Sequence, residues 1–144
     1  MTAQEFPLAW RWTRSEHGIM PPHILASIVP LEATEAAELN ERSLAFYQQS
    51  RTLSPSVFGA IVPQRADIPV DEARAWLLEQ QPSDLSVFVS WQPDLAVRTT
   101  WRVFVDYWDS FCYPSSDDVA VWPESEQWVL AYHHYELFEF GKKP

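Results

Sequence analysis

Residues 119–140 read VAVWPESEQWVLAYHHYELFEF. Three short runs rich in Val, Leu, Trp, Tyr and Phe stand out: Val119 to Trp122, Gln127 to Tyr132 and Tyr135 to Phe140. β-Branched and aromatic side chains suit a pleated surface, so each run predicts a strand. The first two are joined through Pro123-Glu124-Ser125-Glu126 and the last two through His133-His134. Links this short predict hairpins, and therefore an antiparallel meander. Upstream, Leu85 to Trp91 (LSVFVSW) sets Val87, Val89 and Trp91 on one face of a further strand, which Gln92-Pro93-Asp94 breaks.

Between that strand and the meander, the aromatic residues fall at Trp101, Phe104, Trp108 and Phe111. This spacing is helical and brings four rings to one face. Thr99 or Thr100 is placed to cap the segment, and Pro114 lies at its end.

Working towards the N-terminus, Val70, Ala73 and Leu77 follow helical spacing over about Val70 to Gln80, with Asp67 as a cap. Arg51 to Ile68 contains Pro55, Gly59 and Pro63 and reads as a connecting loop. Ala33 to Gln49 is built of strong helix formers with Ala37, Leu44 and Tyr47 along one stripe. Pro21-Pro22 opens a short helix through Ile24, Leu25 and Ile28, which Pro30 closes. Trp10 and Trp12, on alternate positions, suit an edge strand. Helices first, then strands with one helix between them, predict an α+β fold. The expected architecture is an antiparallel sheet of about four to five strands packed with about three to four helices, in one domain over 1–144.

Charge and cysteine usage narrow the function classes. Twenty acidic residues against ten basic ones, a net charge of −10, argue against nucleic acid or an anionic membrane as partner. Glu5, Pro7, Arg11, Arg14 and Glu16 interrupt every apolar run near the start. Together with a lone thiol, Cys112, this predicts a cytoplasmic protein. Motifs of the GxSxG, GxxxxGK[ST], GxGxxG and HExxH types are absent. No cofactor or metal is expected.

The segment from Val103 to Gly141 holds Asp106, Asp109, Asp117, Asp118, Glu124, Glu126, Glu136 and Glu139 and no Lys or Arg. A shared acidic face would attract a basic protein, with Asp117, Asp118, Glu124 and Glu126 as docking charges and Trp122 as an aromatic anchor. Ser115-Ser116-Asp117-Asp118 has the side chains of a turn and lacks the alternating oxygen ligands of a calcium loop. His133 and His134 are adjacent, so on a strand they point to opposite faces and do not share one ion. His17 and His23 have no evident partners. Two alternatives stand beside the docking reading. One is an enzyme or ligand binder whose pocket gathers Cys112, His133 and His134, with Asp118 orienting a base. The other is a homo-oligomer subunit with surplus aromatic residues at its interface.

Thr99 to Gly141 (TTWRVFVDYWDSFCYPSSDDVAVWPESEQWVLAYHHYELFEFG) resembles small bacterial proteins of uncharacterised, proteobacterial-type families. In these an aromatic helix leads into a short acidic turn and a closing meander. Trp10-Arg11-Trp12 and Ile28-Val29-Pro30-Leu31 resemble them more loosely. Families of this size and acidity are similar to immunity proteins, which neutralise toxins delivered between competing cells. That resemblance implies a protein-interaction role and carries over no catalytic residues.

Overall fold

The structure is a computed structural model that describes residues 1–144, apart from the side chain of Gln92. Its strands are β1 (Val29–Pro30), β2 (Ala60–Arg65), β3 (Ser86–Gln92), β4 (Leu95–Thr100), β5 (Val119–Pro123), β6 (Trp128–His133) and β7 (Leu137–Lys142). All pair antiparallel in a single sheet of order β1-β4-β3-β5-β6-β7-β2. β5 and β6 are buried at every position. A strand apolar at both parities requires cover on both faces, and both faces are covered.

One face carries Val87, Val89, Val121, Leu130, Phe138 and Phe140, packed under α1 (Trp10–Thr13), α2 (Pro22–Leu25), α4 (Val70–Gln80), α5 (Trp101–Asp106) and α6 (Trp108–Phe111). The other carries Ala96, Ala120, Trp122, Val129 and Ala131 under α3 (Ala33–Ser43), a 3-10 turn over Leu44–Phe46, and the following segment to Phe58.

The α+β class is as expected, but the count is corrected: seven strands and six helices replace four to five strands and three to four helices. Of the helices, only α3 and α4 exceed two turns, with 11 residues each. The missed strands have local causes. Gln92-Pro93-Asp94 breaks β3 only to turn the chain into β4, whose Val97 pairs with Val89. β2 contains Pro63, which argues for a loop unless the strand lies at an edge. Here it does. Ala66 N–H donates to Glu136 O at 2.8 Å. The two-residue alternation of an antiparallel ladder then turns the Pro63 nitrogen away from β7 to the open edge, where no donor is needed.

Trp10 and Trp12 lie on a helical turn rather than an edge strand, with Trp12 N–H donating to Ala9 O at 2.9 Å. Arg11 between them is itself buried, so the in–out alternation of a strand does not apply. The predicted 33–49 helix stops at Ser43, and Tyr47 bridges to Leu53 instead. α4 has the expected span, but its N-cap is Pro69, and the Asp67 carboxylate, two residues upstream, pairs with Arg65 instead.

The aromatic helix begins as expected, with Thr100 Oγ1 accepting Val103 N–H at 3.2 Å. It then divides at Tyr107. Arg74 of α4 donates to the carbonyls of Val105 (3.4 Å) and Asp106 (2.9 Å), serving acceptors that the broken helix leaves free. Trp101, Phe104, Trp108 and Phe111 remain buried. Trp101 and Trp108 donate their indole N–H to Gln81 O and Val70 O, which satisfies the polar end of each ring. Among the described residues, no helix is long and apolar enough to cross a membrane.

Candidate functional site

A row of register partners crosses four strands: Ser90, Ala120, Ala131 and Glu139. These four share the α3 face of the sheet. Elsewhere on that face, Phe88, Trp122 and Phe46 fill the layer, with Trp122 5.4 Å edge-on from Phe46 and 5.9 Å from Phe88. Along the row the side chains are small, and the layer above does not close on them. A cavity of about 620 Å³ results. Its floor includes Ser90, Ala120 and His133; its roof includes Asn40, Leu44, Tyr47, Gln48 and Arg51; Asp118, His134 and Tyr135 stand at its end.

His133 is 4% exposed, and its Nε2 lies 2.8 Å from Glu139 Oε1. That oxygen also accepts the Leu53 N–H at 3.0 Å. A carboxylate has no proton to give, so Nε2 carries the hydrogen and Glu139 sets the tautomer. In the neutral imidazole, Nδ1 is then an acceptor. It has no partner among the described residues, and it is not sealed from solvent.

Ser90 Oγ is in the same condition, on a residue 5% exposed that lines the cavity. Tyr135 stacks on His133, with ring centroids 5.3 Å apart and planes within 7°. His134 meets the Tyr135 edge and gives both its N–H (2.9 Å) and its Nδ1 (3.0 Å) to Asp118 Oδ1. Burial first, then the charges of Asp118 and Glu139, push the Tyr47 phenol well above its ordinary range. Two carboxylates therefore act on the cavity.

The predicted site residues divide among separate places. Asp118, His133 and His134 reach the cavity. Cys112 does not: it lies in the core on the opposite face of the sheet, where burial above all raises its thiol pKa. No Cys112–His133–Asp118 arrangement forms. Asp117 is buried and grips Arg11 with both oxygens, at 2.6 and 3.1 Å. It also accepts the Tyr113 N–H and the Ser116 hydroxyl, so the Ser-Ser-Asp-Asp turn clamps the N-terminal segment onto the core. The Arg11 guanidinium lies 4.0 Å above the Tyr113 ring.

Trp122 is 1% exposed and has no face to offer a partner. Glu126 is ion-paired with Arg42. Glu124 is exposed in the β5–β6 link, remote along the strands from Asp118. The eight acidic residues do not form one face, since Glu139 lies under the α3 layer and Asp106 pairs with Arg102 on α5. Among the described residues, no group of three His, Cys, Asp or Glu side chains is placed to hold a metal ion.

The cavity also takes in residues the sequence read otherwise: Tyr47 as part of a helical stripe, Glu139 as one of eight acidic residues, and Ser90 not at all. For Glu139 a signal existed. The neighbouring run WVLAYH is apolar at both parities, so a charge between Phe138 and Phe140 had to lie inside. Ser90 and Tyr47 carried no such mark.

With this geometry in hand, comparison with known proteins adds no assignment: no family model, curated protein or solved structure matches the chain.

Proposed function

We propose that the protein binds a small organic molecule in the cavity between the sheet and α3. One observation carries this reading. Two polar side chains more than nine-tenths buried, Ser90 and His133, present unpartnered atoms to a cavity of about 620 Å³. Both atoms stay open to solvent in the cavity, and clefts of this volume with a few convergent polar groups are where small ligands bind. The His133–Glu139 pair also has the orientation that general bases share, a carboxylate holding the far ring nitrogen. The lone buried thiol is in keeping with a reducing, cytoplasmic setting.

The test is a fragment library titrated into the isotopically labelled chain, read by amide shifts of Asn40, Gln48 and His134. Binders should lose their effect on an Ala120→Leu variant that is folded elsewhere, because the added carbons fill the floor. If no fragment moves those amides, the proposal fails.

A second reading, an immunity-type or regulatory factor that docks a basic partner, retains Glu124 and Asp118 as exposed carboxylates, one beyond each end of β5. Its docking set is narrower than the eight acidic residues, since Asp117 and Glu126 are already ion-paired.

A further inference from the structure

Building on that ligand-pocket reading, we infer that the ligand is a flat organic cation that donates hydrogen bonds, of the amidinium or guanidinium class. Two polar atoms on the floor of the cavity suit a donor. Glu139 accepts the Nε2–H of His133, so in the neutral tautomer Nδ1 is an acceptor on a residue that lines the cavity. Ser90 Oγ accepts as readily as it donates and has no other engagement among the described residues.

The charges favour a cation. Both bonds from His134 fall on Asp118 Oδ1, which leaves Oδ2 unengaged at the mouth. Burial first, and then the charges of Asp118 and Glu139, raise the Tyr47 phenol pKa, so both carboxylates act at this end of the cavity. Flatness follows from the rings. Tyr135 is 56% exposed and lies parallel to His133, a surface on which a planar cation stacks. The opposing charge is Arg51, exposed at the rim on a backbone with φ of 69° and without a carboxylate partner among the described residues.

Benzamidinium, benzamide and benzoate share one shape and differ in charge and donors, so they separate these possibilities. Each is titrated into the labelled full chain at one pH and salt concentration, following the amides around the cavity. Benzamidinium should bind about tenfold more tightly than benzamide, a difference near 1.4 kcal/mol. Asp118→Asn should weaken benzamidinium several-fold and leave benzamide unchanged. Arg51→Gly, which also suits the left-handed backbone, should strengthen it. Equal or tighter binding of benzamide or benzoate overturns the cation inference and leaves the ligand pocket standing. No shift from any of the three, with no hit in the fragment screen, overturns both.

Discussion

Arg11 and Asp117 sit 106 positions apart, and each is less than 8% exposed. Burying such a pair costs desolvation on both sides, and its net contribution is small. Removing one charge is a different matter, because the other is left uncompensated in the core. Asp117→Asn keeps one acceptor oxygen, removes the charge and turns the other accepting oxygen into an NH2 donor. We expect it to cost about 3–5 kcal/mol in urea unfolding. Adding Arg11→Met, which takes away the stranded cation, should restore much of that loss. If the double variant is as unstable as the sum of the singles, the pair does not act as a coupled unit. The sequence marked Asp117 as a turn residue, which it is. Its ion pair stayed hidden because nothing local to Arg11, between two tryptophans, shows which distant carboxylate it meets.

At the scale of elements, β2 is the strand the sequence concealed, and Pro63 is the reason. With its nitrogen on the open edge, Pro63 interrupts the row of donors that another strand would pair with. Val62 on the same strand is 40% exposed, so the edge is apolar enough to invite pairing. Pro63→Val restores the donor and raises strand propensity. It should leave the fold intact and increase self-association at high concentration, seen by light scattering. A variant that stays monomeric would show that Pro63 does not guard this edge.

The elements that were legible are those with long periodic runs: α4, the three meander strands, and the ring spacing of the aromatic helices. Both meander hairpins were legible from the shortness of their links, although glycine is scarce and ordinary residues take its place in the turns. Glu126 and Glu136 adopt φ of 57° and 62° in the two meander links. Gly141 serves a different need, a close approach in which an added Cβ would come within 2.8 Å of the Phe58 ring. The cavity was legible only in part. His133, His134 and Asp118 are near one another in the meander and its approach. Ser90 and Tyr47 reach them only through the sheet order and the path of the chain after α3.

Across the whole molecule, burial sets how stability responds to alkali, in the packed core for Cys112 and Tyr132 and under the cavity roof for Tyr47. Burial above all raises the pKa of the Cys112 thiol from an ordinary 9.0, and those of Tyr47 and Tyr132 from an ordinary 10.0. In the folded chain these groups keep their protons at a pH where the unfolded chain releases them. The unfolded state then binds fewer protons, so stability falls as pH rises. The contribution is fully present below pH 9 and is lost above it, first through Cys112 and then, beyond pH 10, through the tyrosines as well. Each fully shifted group should steepen the decline by about 1.4 kcal/mol per pH unit. Urea unfolding between pH 7 and 10.5 reads this directly. Cys112→Ala should delay the onset by about one pH unit, and tyrosinate absorbance should show two of the five tyrosines titrating only as the protein unfolds. A stability that stays level through pH 10.5, or an onset unmoved by Cys112→Ala, would mean that these groups reach water in the folded state, and that the two-sided core is looser than its packing indicates.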